Sequence, residues 1–157
     1  MAENFQSAMH PVTRRLSESY LSQMRGAAIG GGGLSAAIVL LLLQIGLTSI
    51  PLHISLYAAA LGIPAWIGAW QYIQPYILYG PTSYEHFAKP GGIGVAVLLA
   101  VAGLSALFVS FTSLIWHLSP FVAILFAVAC LLVVALILVH NRAVQSAAEA
   151  HGNGRGA

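Results

Sequence analysis

Residues Gly26–Tyr84 read GAAIGGGGLSAAIVLLLLQIGLTSIPLHISLYAAALGIPAWIGAWQYIQPYILYGPTSY and contain no Asp, Glu, Lys or Arg. A second uncharged stretch runs from Gly91 to Asn141. A helix needs about 20 apolar residues to cross the hydrocarbon layer, so each stretch has room for two crossings. The rest of the composition agrees: 59% of the 157 residues are hydrophobic and 6% are charged, where a soluble domain carries about 25% charge. The sequence therefore predicts an all-α membrane protein of four transmembrane helices, at about 27–48, 52–79, 93–116 and 121–139, arranged as two tight helical hairpins.

Turn chemistry sets the boundaries. Ser49-Ile50-Pro51 and Leu118-Ser119-Pro120 each place a capping serine before a proline in the first helical turn, where its missing N–H costs nothing. Pro64 and Pro75 lie inside the second span, and each removes one backbone hydrogen bond, which predicts a bend there. Gly80-Pro81 and Pro90-Gly91-Gly92 bracket a loop over 80–91. Before the spans, Val12, Leu16, Tyr20 and Met24 recur every four residues, which predicts a short amphipathic helix within 1–25 lying along the membrane surface. Residues 142–157 read as a flexible tail. Arg25 is followed by no small-residue cleavage site, so the first apolar stretch is expected to be a retained span, not a signal peptide.

All six cations, Arg14, Arg15, Arg25, Lys89, Arg142 and Arg155, fall on one side of a four-span threading. Positive residues near spans stay cytoplasmic. Both termini and the 80–91 loop are thus expected inside, and both hairpin turns outside, in a bacterial-type inner membrane. The ring-rich end of the second span, Trp66, Trp70, Tyr72, Tyr76 and Tyr79, suits a headgroup belt. A net charge of +2 without a basic, aromatic-interleaved run argues against a nucleic-acid partner.

Association within lipid relies on small and polar side chains. Read at heptad spacing, the first span offers Gly30, Gly33, Ala37, Leu40 and Gln44. The second offers His53, Tyr57, Ala60, Pro64, Ile67, Gln71 and Gln74. The third offers Ala96, Leu99, Gly103, Ala106, Ser110, Ser113 and His117. These stripes are expected to line the bundle interior or a partner interface. The four-glycine run has no following Lys-Ser/Thr, so it reads as close backbone approach and not as a phosphate loop.

The spans hold no carboxylate or ammonium group, which leaves little for an enzyme to work with, and no catalytic residue is assigned. Ser113 and His117 share a face four apart, but a serine bonding its own helix is the plainer reading. His53 and His117 sit at the outer ends of their helices, where a facing pair would ligate haem b or a metal in an electron carrier. A lone Cys130 excludes an internal disulfide and a thiolate metal centre, and no metal site is expected. The leading expectation is a non-enzymatic protein acting by lateral binding to another integral membrane protein or to itself. An immunity protein against a membrane-acting toxin, or an accessory subunit, has this layout. An oligomeric solute channel or transporter lined by Gln44 and Gln71 is the remaining alternative.

Overall fold

A computed structural model describes the backbone of residues 2–80, 83 and 90–153, and the side chains of residues 19–80, 83 and 94–143. Four helices follow one another: α1 (Ala2–Ile45), α2 (Ile50–Tyr79), α3 (Pro90–Leu118) and α4 (Pro120–Asn153). Each contains a segment long and apolar enough to cross a membrane: Ser19–Ile45, Ile50–Tyr79, Gly94–Leu118 and Pro120–Ala143. The chain is a multi-pass, all-helical protein. It divides into two units, Met1–Leu114 and Ile115–Ala157.

In hydrocarbon every backbone N–H and C=O needs a partner within the chain, so a helix runs on wherever nothing stops it. Two departures from the sequence reading lie in polar stretches outside the spans, where the helices continue. α1 continues unbroken from Ala2 to Ile45, through Gly26 and the four glycines, so residues 1–25 do not form a separate short helix. At 1.5 Å per residue its 44 residues reach roughly 66 Å, more than twice the hydrocarbon thickness. Of the stripe expected there, Tyr20 is exposed and Met24 half-buried, while the side chains of Val12 and Leu16 lie outside the described residues. Likewise α4 extends past Arg142 to Asn153, into the segment expected to be a loose tail. α2 also passes through Pro64 and Pro75 as one helix.

The stops are chemically explicit. Gly46 follows α1 with φ 80° and donates its N–H to the Leu42 carbonyl at 3.1 Å, the left-handed closure that favours glycine. Ser49, extended at φ −144°, ψ 157°, stands at the N-cap of α2, but its side chain makes no capping bond. Its carbonyl serves instead, accepting the His53 N–H at 3.3 Å. Gly80, at φ 67°, ends α2, and Ser83 folds back to donate from Oγ to the carbonyls of Gly80 (2.6 Å) and Tyr76 (3.3 Å). In the second unit, Ser119 links two helices through its own N–H to Ile115 (2.8 Å) and its carbonyl from Ala123 (3.1 Å).

The core of the first unit forms where α1, α2 and α3 meet. On α2 the buried residues are Leu52, Ser55, Ala59, Gly62, Trp66, Ala69 and Ile73, alternating three and four apart as a coiled-coil seam does. α1 contributes Leu21, Ala28, Ser35, Ile38 and Leu42, and α3 contributes Ala96, Gly103, Leu107 and Ser110. Trp66, 7% exposed, occupies a slot made by two glycines. A Cβ on Gly31 would collide with its indole, and one on Gly103 would lie 2.6 Å from its Cε2. One turn along, a Cβ on Gly62 would meet Ser35 Oγ at 3.0 Å and the Ala106 Cβ at 3.3 Å. Gly68 leaves room for Leu99, and Leu21, Ile73 and Ala96 close the far end.

This seam separates glycines that meet Trp66 from glycines that meet nothing. Gly103→Ala should destabilise the detergent-solubilised protein by about 1–3 kcal/mol through overpacking. Gly30→Ala and Gly33→Ala place a methyl where nothing lies within 4 Å and should gain about 0.5–1 kcal/mol through helix propensity. Denaturant unfolding in mild detergent, read by circular dichroism, checks both signs.

Candidate functional site

The strongest polar contact between helices is a pair of serines. Ser55 of α2 donates from Oγ to the Ser110 carbonyl of α3 at 2.9 Å, and Ser110 Oγ donates back to the Ser55 carbonyl at 3.0 Å. The two hydroxyls lie 2.9 Å apart, and both residues are fully enclosed. Each hydroxyl has therefore moved from its own helix to the neighbouring one. This joins α2 and α3 at one depth and fixes their register. Ala96 and Gly103 are buried on the same face of α3, and Ser113 is half-buried.

On α1 and α2 the stripes expected from sequence lie away from this seam. Gly30, Gly33, Ala37, Leu40 and Gln44 are all exposed, and nothing stands within 4 Å of a Cβ on either glycine. The interior row is offset by two residues, through Ala28, Gly31, Ser35, Ile38 and Leu42. On α2, Tyr57, Ala60, Pro64, Ile67 and Gln71 are exposed, and the interior row sits one or two residues earlier. The cause is Trp66. Its bulk needs glycine on both neighbouring helices, and meeting that need rotates α1 and α2 away from the orientation in which Gln44 and Gln71 would point inward. Gln44 and Gln71 are accordingly exposed. Gln74 behaves differently: it is half-buried, with Oε1 enclosed and without a hydrogen-bond partner.

Four other enclosed polar atoms share that condition: Ser35 Oγ, Trp66 Nε1, Trp70 Nε1 and Thr112 Oγ1. Trp66, Trp70 and Gln74 stand four apart along α2, forming a row that runs from the centre of the unit toward its charge-bearing end.

The histidines fall in different units. His53, half-buried, donates its Nδ1–H to the Ser49 carbonyl at 2.9 Å, because a carbonyl can only accept. That bond fixes the tautomer and leaves Nε2 as the ring's acceptor, the arrangement typical of a ligating histidine. Its ring lies 6.5 Å from Tyr57, tilted by 52°. His117 lies in the second unit and is exposed. Among the described residues no three His, Cys, Asp or Glu side chains come together.

In the second unit α4 offers the longest uncovered apolar surface. Its most apolar stretch is 6% buried, against 33% for α2, and Ala123 alone is enclosed among its described residues. Comparison with family models, with curated proteins and with solved structures returned no match.

Sequence reasoning passed over Ser35, Ser55, Gly31, Gly62 and Trp66. The available signal was the unbroken three-four spacing of Ser55, Ala59, Gly62, Trp66 and Ala69, and a tryptophan in such a row calls for a glycine opposite. A double-mutant cycle on Ser55→Ala and Ser110→Ala should return a coupling of about 0.6 kcal/mol, at most about 1.7, as for other hydrogen bonds between membrane helices. Unfolding of the two single variants and the double variant in detergent measures it.

Proposed function

We propose that this chain is a non-enzymatic, multi-pass protein of a bacterial inner membrane, with both termini cytoplasmic, that acts by lateral binding to another integral membrane protein. Two biological roles fit that action: immunity against a membrane-acting toxin, and service as an accessory subunit. The placement of the termini follows from the six cations on one side. The absence of chemistry follows from spans without carboxylate or ammonium groups.

The observation that carries the reading is the outer face of α1. Gly30, Gly33 and Ala37 are exposed there with Gln44 at the far end. Lipid gains nothing from glycine, which weakens a helix, and an amide facing hydrocarbon leaves donors and acceptors unmet at a cost of several kcal/mol. A neighbouring helix resolves both at once. It approaches closely along the glycines and hydrogen-bonds the amide. Gln71, exposed on α2, presents the same requirement on a second face. The bare length of α4 supplies apolar area but no polar anchor.

The test separates binding from folding. Gly33→Leu and Gln44→Leu alter exposed positions, so the unfolding midpoint in detergent should stay put or rise. Both should abolish recovery of a membrane partner when the tagged protein is extracted from native membranes with mild detergent. Recovery of the same partner at wild-type yield from both variants would refute the assignment of this face.

A further inference from the structure

Two exposed rows of the first unit lie at matching depths. The inner contacts set the antiparallel register of α1 and α2. A Cβ on Gly31 would strike the Trp66 indole, and four residues on, Ser35 Oγ stands 3.0 Å from where a Cβ on Gly62 would be. Each step forward along α1 is therefore one step back along α2, and Ile38 and Leu42 go on to share the core cluster with Ala59 and Leu52. The same register brings Gly30 level with Ile67, Gly33 with Pro64, Ala37 with Ala60, Leu40 with Tyr57 and Gln44 with His53. All of these are exposed except His53, which is half-buried.

Level by level, the two rows are complementary. The Gln44 amide carries two N–H donors. His53, whose Nδ1–H is taken by the Ser49 carbonyl at 2.9 Å, presents Nε2 as an acceptor. Pro64 and Ile67 add bulk where Gly33 and Gly30 present no side chain and leave nothing within 4 Å of an added Cβ. Ala37 and Ala60 let two backbones come close, and Leu40 covers the Tyr57 ring. One copy cannot join its own rows. The outer row of α1 lies two residues beyond the inner row, about 200° around a helix of 3.6 residues per turn, so it faces away from α2.

We infer that the open row of α1 is covered by the outer row of α2 from a second copy of this chain, with Gln44 of one copy donating to His53 Nε2 of its neighbour. Copies threaded the same way through one membrane hold each residue at the same depth. Levels shared by α1 and α2 within a copy are thus shared between neighbouring copies, and the polar pair and the glycine slots meet without any vertical shift. The hydrogen bond is worth most here, because no water replaces it in hydrocarbon. The contact is heterologous: each junction leaves one α1 row and one α2 row open, so further copies add around a ring where a two-fold pair would stop. The inference rests on the lateral-binding reading of the α1 face and names the occupant of that face.

The test uses the full chain in native membranes, with Cys130→Ser to remove its one free thiol. Two differently tagged versions are co-expressed, one carrying Gln44→Cys and the other His53→Cys, and oxidised with copper–phenanthroline. A disulfide-linked dimer bearing both tags should form. Gly30→Cys with Ile67→Cys should give the same product, and it provides the readout if His53→Cys disturbs the turn at Ser49. Gln44→Cys with Ile67→Cys, about 21 Å apart in depth at 1.5 Å per residue, should give none. Absence of the mixed dimer from both matched pairs would overturn the inference. So would Gln44→Cys linking to itself as readily as to His53→Cys, since like faces would then meet about a two-fold axis. If the matched pairs fail while Gly33→Leu and Gln44→Leu still lose a different membrane protein on extraction, the α1 face stands and its occupant is that protein. If those variants keep that protein as well, the lateral-binding reading of the face falls too.

Discussion

The first unit depends on one fit: the indole of Trp66 held between Gly31 and Gly103. Tryptophan is the bulkiest side chain in the core, and helix axes pack only 8–10 Å apart. A large ring enters such a space only where the facing helices present no side chain at all. Both neighbours do so at the same level, and the rest of the seam takes its register from that meeting point. Ser35 then stands against Gly62, Ala106 fills the adjoining space, and Leu99 reaches into the gap at Gly68. Small residues alone would permit many registers. A large ring that fits in one place selects among them.

Hydrogen bonding supplies the second constraint, and lipid sharpens it. The hydroxyls of Ser55 and Ser110 each cross to the other helix's carbonyl, so a lateral slip of one turn would cost two bonds where no water replaces them. Shape fixes the middle of the unit and the serine exchange fixes one end. The opposite end has neither. There Leu21, Ile73 and Ala96 close the core, while Trp70 Nε1 and Gln74 Oε1 have no hydrogen-bond partner among the described residues.

The number and limits of the helices were legible because they follow from solvent. The two uncharged stretches demanded helices, and Gly46, Gly80 and the two Ser-x-Pro or Ser-Pro turns ended them near the expected residues. The continuity of α1 across residue 25 was not legible, since the change from polar to apolar residues marks a change of solvent and not of backbone. The interior rows of α1 and α2 were not singled out for a related reason: the stripes read from sequence were expected to line the bundle interior or a partner interface, and on these two helices they are mostly exposed. Glycines at 30, 31, 32 and 33 give α1 a small residue on nearly every side, and adding Gln44 to the count favoured Gly30 and Gly33. That choice assumed each helix hides its polar groups by itself. The register is decided between helices, by the one ring that needs two glycines, and this pairing cannot be weighed on either helix alone. On α3 the ambiguity was smaller, because Gly103, Ala106 and Ser110 lie on a single side of an otherwise bulky helix.

What remains on the outside of α1 is informative because the inside is already complete. A protein that needed glycine only to admit Trp66 would keep Gly31 and could carry leucine at 30 and 33, as lipid-facing positions of α4 do at Leu131, Leu132 and Leu136. Instead α1 carries two glycine-bearing rows on different sides, one occupied by α2 and the other open. The open row ends in an amide, and the open face of α4 has none between Phe121 and Val139. The two exposed surfaces therefore differ in kind. The exposed length of α4 is apolar and suits lipid chains, whereas the exposed row of α1 carries glycines and the Gln44 amide, which suit a close backbone and a polar group. Another helix meets both conditions, and a lipid chain meets neither.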